Sequence, residues 1–422
     1  MSLLTEPMTV RRARPEPQTP PRDPVRLTIV IPALNEEQAI GGTIERCLAA
    51  RERIIAGSGV TGVDVVVVSD GSTDRTAEIA RSYPQVQLIE FPRNRGYGAA
   101  IKAGWRRGGG DLLAFLDADG TCDPEYFTEM CRVALEEGAD VVLGSRMGPG
   151  SRMPALRRVG NTLFAAMLGA LSHRPVEDCA SGMRVVRAAS LPRLLPLPDG
   201  LSFTPSMSAR ALMDGRLVIR EIPMAYAERI GRSKLSVIRD GIRFTREILS
   251  AAVYVKPSRI TLPIAAVLAV AALLLALFPA GFYLRHGWLP EWLIYRFLAI
   301  LTLGSAAVTL MCATVVAEHL IALGQLRYDE FLDRSGLWRG RRALRGYAVA
   351  GLAAAGLAVA MVWPGIRSYL SAGTIPETTL HWSRMVVSVF LLTTVWQMAA
   401  TACILRIIPA LNDRQRFLVR GE

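Results

Sequence analysis

The chain has 422 residues, a formal net charge of +12 and an apolar fraction of 51%, which is too high for a purely water-soluble protein. Its length allows two or more domains. The six cysteines show no CxxC pair or zinc-finger spacing, which argues against a metal finger, and we expect reduced, structural thiols.

The first 26 residues predict a disordered basic arm. Residues Arg11–Arg26 are rich in proline and arginine, a composition that cannot bury a core. No apolar segment follows the N-terminal charges, so we expect no signal peptide.

Residues 27–235 alternate between strand-like and helix-like patterns. The predicted strands are Leu27–Ile31, Val63–Val68, Val86–Ile89, Leu112–Leu116 and Val141–Leu143. The predicted helices are Glu37–Ile55, Thr73–Ser82, Tyr97–Arg107 and Pro124–Glu137. This alternation predicts an α/β domain, in which helices cover both faces of a mostly parallel sheet.

Residues 236–256 predict an amphipathic helix in the lipid headgroup region. Apolar Ile238, Ile242 and Ile248 recur at helical spacing, and Arg239 and Arg243 fall on another side. The alternative is a soluble helix packed on the α/β domain. Residues 156–171 are a second candidate, for which the two interpretations are equally open.

Residues 257–410 predict an all-α transmembrane domain, followed by a tail at 411–422. Four apolar segments are long enough to cross a bilayer: Ile260–Leu284, Phe297–Leu323, Tyr347–Ile366 and Met385–Ile408. Arginines are concentrated in the connection between the second and third segments and in the tail. The positive-inside bias therefore predicts an inner- or plasma-membrane protein whose two termini and α/β domain are cytoplasmic. The basic excess favours anionic lipid and phosphate as partners, and not nucleic acid.

Two carboxylates, Asp117 and Asp119, directly follow the apolar strand Leu112–Leu116. A buried strand of a parallel sheet ends at the edge where α/β folds bind ligands. Two hard oxygen ligands one residue apart can hold a divalent cation and, through it, a diphosphate. A solvated turn rich in Asp is the commoner explanation of an isolated pair.

Three further strand ends carry polar or glycine-rich loops: 32–37, 69–74 and 94–98. Parallel strands bring their carboxyl ends to one edge, so we expect these loops to share a crevice with Asp117 and Asp119. Taken alone, Asp70 or Ser72 would be explained as helix caps. The candidate ligand contacts, which the resemblance described next assigns to a nucleotide sugar, are Pro32, Asn35, Glu36, Asp70, Ser72, Asn94, Gly96, Lys102, Asp117, Ala118 and Asp119.

This constellation resembles the family 2 glycosyltransferases, which have a Rossmann-like GT-A fold, over residues 27–248. Asn35-Glu36, Asp70-Gly71-Ser72 and Asp117-Ala118-Asp119 stand where that family's motifs stand. The resemblance implies that Asp70 contacts the nucleotide base and that Asp117 contacts the ribose or the metal. It also implies that Asp119 binds Mg²⁺ or Mn²⁺, which bridges the donor diphosphate.

Three later segments are similar to the subgroup that transfers sugars to polyprenyl or dolichyl phosphate. They are Gly144-Ser145-Arg146, residues 178–184 and residues 231–235. The resemblance implies that Arg232 and Lys234 act on the donor phosphates and leaving group. The subgroup usually has Gln where this chain has Thr121.

The predicted acceptor, a phosphate monoester, is largely dianionic at neutral pH and needs no strong base. Cations must offset its repulsion by the donor diphosphate, and Arg146, Arg157 and Arg158 are the candidates. In many inverting relatives a carboxylate at the position of Asp178 is the general base. Here Asp178 could instead orient groups or bind a cationic side chain.

These observations predict an inverting, metal-dependent transfer of one sugar from a nucleotide-diphosphate sugar to polyprenyl phosphate. One alternative is a processive polysaccharide synthase, but its Gln-x-x-Arg-Trp motif is absent from the sequence. Another is a lipid flippase or transporter with a nucleotide-binding regulatory domain. The sequence leaves open the sugar, the nucleotide (UDP or GDP), the prenyl length and the formation of a homo-oligomer.

Overall fold

The computed structural model describes residues 24–148, 151–231, 237–325, 328–333, 341–375 and 380–420. Residues 1–23 of the predicted arm lie outside this range. The predicted site residues Arg232 and Lys234 also lie outside it.

Within the described residues, seven strands form one sheet. They are β1 (Arg26–Ala33), β2 (Gly62–Asp70), β3 (Gln87–Phe91), β4 (Leu112–Phe115), β5 (Val141–Ser145), β6 (Arg184–Arg187) and β7 (Ile219–Pro223), in the order β3-β2-β1-β4-β6-β5-β7. Strands β1 to β4 are mutually parallel, and β7 is parallel to β5. Strand β6 is antiparallel to both β4 and β5. The prediction of a mostly parallel sheet is therefore confirmed.

Helices cover both faces of the sheet. They are α1 (Ile40–Ser58), α2 (Thr76–Arg81), α3 (Tyr97–Gly108), α4 (Tyr126–Glu136), α5 (Ala155–Ser172), α6 (Leu191–Leu194), α7 (Phe203–Met213) and α8 (Val237–Val255). Successive residues of β1 enter different cores because strand side chains alternate between faces. Ile29 packs in the core that contains Phe127 of α4, whereas Val30 packs in the core that contains Trp105 and Phe203.

Four long apolar helices follow the α/β domain. They are α9 (Ser258–His286), α10 (Ile294–Gly324), α12 (Arg341–Ala372) and α13 (Trp382–Arg420), with the short helix α11 (Tyr328–Asp333) after α10. Each is long and apolar enough to cross a membrane. They contain the four predicted segments, and α13 continues through most of the predicted tail.

Helix α8 connects the two regions and packs against α7, α5 and α9. Its Ile248 and Ala252 are fully buried, whereas Ile242, Leu249 and Val253 are exposed. The helix therefore packs on the α/β domain and also presents an apolar surface outward. Its location in the headgroup region stays a prediction.

Candidate active site

A cavity of about 510 Å³ opens at the carboxyl ends of β1, β2 and β4. It brings together eight of the predicted nucleotide-sugar contacts and two of the predicted acceptor cations. They are Pro32, Glu36, Asp70, Asn94, Gly96, Asp117, Ala118 and Asp119, with Arg146 and Arg157. Parallel strand order explains this convergence, as expected from the sequence.

The paired carboxylates are held by neighbouring hydroxyl groups. Tyr97 donates a 2.7 Å hydrogen bond to Oδ1 of Asp117, and the Thr121 hydroxyl donates one of 2.7 Å to Oδ1 of Asp119. Burial, together with the nearby charge of Asp119, raises the pKa of Asp117. Burial and the neighbouring carboxylate therefore both disfavour the ionised form of Asp117, which a bound cation would favour.

Gly182 lies directly behind Asp117. A Cβ at position 182 would overlap the Asp117 carboxylate, so this position must be glycine if the carboxylate is to keep its place. The sequence motif that contains Asp178 thus also supports the carboxylate pair, through Gly182.

Asp117 and Asp119 suit a divalent cation that also has ligands from a substrate. The part of the chain that the structure describes has no group of three or more His, Cys, Asp and Glu side chains placed to hold a metal. Mg²⁺ is commonly held by one or two carboxylates, with substrate phosphates and water completing its coordination. The hard carboxylate oxygens of this pair fit that pattern.

Arg229 is a cavity residue that the sequence analysis did not identify. Its Nη1 lies 3.0 Å from Oδ2 of Asp119, and its Nη2 lies 2.7 Å from Oε1 of Glu36. Backbone hydrogen bonds from Ala227 to Thr121 and from Ile230 to Asp119 fix this segment beside the carboxylates. Arg229 lies two residues before the segment 231–235, which resembles a motif of the polyprenyl-phosphate sugar transferases. That proximity is the sequence feature that could have identified it.

Asp70 holds the loop between β3 and α3. Its carboxylate accepts hydrogen bonds of 2.7 Å and 2.9 Å from the backbone N–H groups of Arg95 and Gly96. Gly71, at φ 72°, lets the Asn94 backbone approach closely. The bond to Asp70 therefore fixes the loop that carries Asn94 and Gly96, and contact between Asp70 and a base stays a prediction.

Asn35 and Ser72 join the loops after β1 and β2. The Asn35 N–H donates to the Ser72 hydroxyl at 3.1 Å, and the Asn35 side-chain oxygen accepts from the Thr73 N–H at 2.8 Å. Neither residue lines the cavity. They position the loop that carries Glu36.

Lys102 is not brought to the cavity. Its ammonium donates to the Leu197 carbonyl at 2.7 Å and forms a 2.6 Å ion pair with Asp199. The side chain extends from α3 towards the segment before α7, a contact that local sequence does not reveal.

Asp178 and Arg146 form a buried, bidentate ion pair. Nε and Nη2 of Arg146 lie 2.6 Å and 2.8 Å from the two Asp178 oxygens, and the Arg146 N–H donates to Oδ2 at 3.0 Å. Burial opposes ionisation of Asp178, but the guanidinium outweighs it and lowers the pKa of this carboxyl. Asp178 does not line the cavity, whereas Arg146 does. The geometry therefore favours the orienting role for Asp178.

The other predicted acceptor cations have different locations. Arg157 lines the cavity, but the exposed Arg158 donates to the Met147 carbonyl at 2.6 Å and lies outside it. The structure adds Arg243 of α8, which lines the cavity and lies 3.5 Å from Asp240. Arg158 is therefore not brought to the predicted acceptor site.

Part of the cavity lining is apolar. Leu156 and Phe164 of α5 and Phe244 of α8 line it, and the two phenylalanine rings meet edge to face at 5.8 Å. Val159 and Leu163 continue this surface outward and are exposed. The cavity lining thus combines paired carboxylates, arginines and apolar side chains from two helices.

Comparison with known proteins gives consistent matches. A family model described as "Glycosyl transferase family 2" matches residues 28–195. The "Low-salt glycan biosynthesis hexosyltransferase Agl6" of Haloferax volcanii is 36% identical over 228 residues, which are 53% of this chain and 53% of that protein. The chain therefore spans about half the length of this relative.

Two other relatives are matched over most of their length. The "Dolichyl-phosphate hexose transferase" of Haloferax volcanii is 34% identical over 53% of this chain and 92% of its own length. The "Undecaprenyl-phosphate 4-deoxy-4-formamido-L-arabinose transferase" of Photorhabdus laumondii is 32% identical, over 60% of this chain and 75% of its own length.

Proposed function

The chain belongs to glycosyl transferase family 2, and we propose that it transfers a single sugar from a nucleotide-diphosphate sugar to a polyprenyl phosphate. The observation that carries the proposal is one cavity that joins paired carboxylates, arginines and an apolar opening. A donor diphosphate, an acceptor phosphate and a prenyl chain together require these three kinds of surface.

The donor end is supported by the loops after β1, β2 and β4. Asp70 fixes the backbone of the loop after β3, which leaves Asn94 and Gly96 at the cavity wall. Mg²⁺ or Mn²⁺, held by Asp117 and Asp119, would act as a Lewis acid that stabilises the leaving nucleotide diphosphate. Arg229 neutralises part of the carboxylate charge of Asp119 and Glu36.

The acceptor end is supported by Arg146 and Arg157. A guanidinium can bind two phosphate oxygens at once, and Arg146 is held in one orientation by Asp178. The apolar residues Leu156, Phe164 and Phe244 then offer a surface for the first prenyl units.

The proposed reaction is an in-line displacement. An acceptor phosphate oxygen attacks the anomeric carbon as the bond from that carbon to the nucleotide diphosphate breaks, which inverts the configuration. The dianionic acceptor carries no proton that must be removed. Asp178, which is ionised and bonded to Arg146, therefore serves by positioning that arginine.

We also propose that the reaction occurs at the cytoplasmic face of an inner or plasma membrane. Four apolar helices follow the α/β domain, and basic residues are concentrated in the connection and tail on one side of them. Both chain termini and the α/β domain would then share the cytoplasmic side.

The test is transfer from a panel of radiolabelled UDP- and GDP-sugars into organic-extractable lipid. Purified full-length protein is supplied with undecaprenyl phosphate and Mg²⁺ or Mn²⁺, and a parallel reaction contains EDTA. One donor that gives an EDTA-sensitive, mild-acid-labile lipid is the expected result. If folded, nucleotide-binding protein labels no lipid from any donor, the polyprenyl-phosphate acceptor is wrong.

A further inference from the structure

A second cavity, of about 230 Å³, lies between the α/β domain and the membrane helices. Its walls come from the end of α5, the segment after α7, the junction of α8 and α9, and the end of α10. The charged residues that line it are Arg174, Asp214, Arg216, Lys256, Arg259 and Glu318.

This second cavity has an excess of positive charge. Its four basic side chains are each half-buried, and two carboxylates face them. One carboxylate, Asp214, is already engaged by Arg193 through contacts of 2.9 Å and 2.7 Å. Arg216 is paired with Glu330.

Two of the basic side chains lack an acidic partner. Arg174 donates to the Leu217 carbonyl at 3.0 Å, and within the described ranges no carboxylate lies at ion-pair distance from Arg174 or Arg259. Partial burial of a charge is costly unless a counter-charge offsets it. The cavity is therefore suited to an anion.

The position of the second cavity places it at one surface of the bilayer. Lys256 and Arg259 flank the start of α9, and Glu318 lies near the end of α10. Helices α9 and α10 are consecutive spans that pack together, so the start of one and the end of the other lie on the same membrane face. That face is the one on which α8 and the α/β domain lie.

We propose that this cavity binds the phosphate group of an anionic phospholipid from the adjacent leaflet. Arg174 and Arg259 would supply charge-assisted hydrogen bonds to the phosphate oxygens. Apolar Val255, Ile321 and Phe331 line the same cavity and would contact the glycerol end of the lipid. The site is separate from the proposed donor and acceptor sites, and it links the α/β domain to the spans through a lipid.

The test compares retention of phosphatidylglycerol and phosphatidylcholine by the purified full-length protein, by native mass spectrometry from mixed micelles. The protein is expected to retain phosphatidylglycerol preferentially. The double variant Lys256→Gln/Arg259→Gln is expected to bind it about 25-fold more weakly, at roughly fivefold for each basic residue near the surface. Arg174→Gln tests the same site from the α/β domain, with an expected loss of about fivefold. Arg285→Gln, at the opposite end of α9, is the matched control and is expected to bind normally.

Three results would overturn the proposal. The first is a lack of selectivity at this cavity. It would be seen as equal retention of the two lipids, or as unchanged phosphatidylglycerol binding by the double variant. The second is displacement of phosphatidylglycerol by inorganic phosphate, which would make the ligand a soluble anion. The third is its displacement by undecaprenyl phosphate, which would assign the cavity to the acceptor. Each measurement is made without nucleotide sugar, so its result is independent of catalysis.

Discussion

Asp178 holds Arg146 by three hydrogen bonds while remaining completely buried behind the cavity wall. The carboxylate that sequence resemblance offered as a general base thus faces a guanidinium. Because Arg146 itself lines the cavity, the pair connects the protein interior to the proposed acceptor phosphate.

The first prediction concerns stability and pH. Arg146 lowers the pKa of Asp178 in the folded protein, so the stabilisation from this ion pair is present above the unfolded pKa of about 3.9. It is lost as the pH falls through the folded value. Asp178→Asn should destabilise the protein by about 3–5 kcal/mol near neutral pH, because a buried charge loses its partner. Thermal unfolding across pH measures this difference, which should narrow in acid.

The exposed pair of Arg26 and Asp64 provides the control. Asp64→Asn should cost no more than about 1 kcal/mol, since surface ion pairs contribute little. Equal destabilisation by Asp178→Asn and Asp64→Asn would contradict a buried structural role for Asp178.

The second prediction concerns the acceptor cations. Arg146→Lys keeps the charge but removes the planar guanidinium that binds Asp178 and that we propose binds the acceptor phosphate. The value of kcat/KM for the acceptor should therefore fall by about 10- to 100-fold. Arg158→Lys should stay near the unaltered value, because Arg158 lies outside the cavity. Initial rates against polyprenyl phosphate concentration distinguish the two. A larger loss at position 158 would move the acceptor site out of this cavity.

The third prediction concerns the cation. Asp119→Ala should reduce transfer by about a thousandfold and should abolish Mn²⁺-dependent nucleotide binding, because one of the two predicted metal ligands is lost. Asp123→Ala removes an exposed carboxylate four residues further on and should leave both properties nearly intact. Calorimetric titration of the nucleotide with and without Mn²⁺ measures the effect. Near-normal activity of Asp119→Ala in a chelator would exclude the metal mechanism.

The fourth prediction concerns Gly182. An alanine there would displace the Asp117 carboxylate, and a displacement of about 1 Å can cost roughly a hundredfold in rate. Gly182→Ala should therefore lose about that much activity and bind Mn²⁺ and nucleotide more weakly. Gly42→Ala is the control, since a Cβ on that exposed position of α1 meets no neighbour. Wild-type metal and nucleotide binding by Gly182→Ala would show that Asp117 tolerates the displacement.

Several features of the protein could be predicted from the sequence because they depend on local pattern. Continuous apolar runs identified β1, β2 and β4, and long apolar segments identified the four membrane helices. Parallel strand order then brought most of the predicted loops to one cavity, as the sequence implied. The short strands β6 and β7 were not predicted, because Arg184, Arg187, Arg220 and Glu221 interrupt their apolar patterns.

By itself, the sequence determined the α/β class, the membrane region and the carboxylate pair, since periodicity and strand ends are properties of neighbouring residues. Only the tertiary structure decided which distant charges meet. It placed Arg229 on Asp119, Arg146 on Asp178 and Lys102 on Asp199. Such partners are chosen by the packing of whole elements and by the cost of burying an unpaired charge, and neither leaves a local signal in the chain.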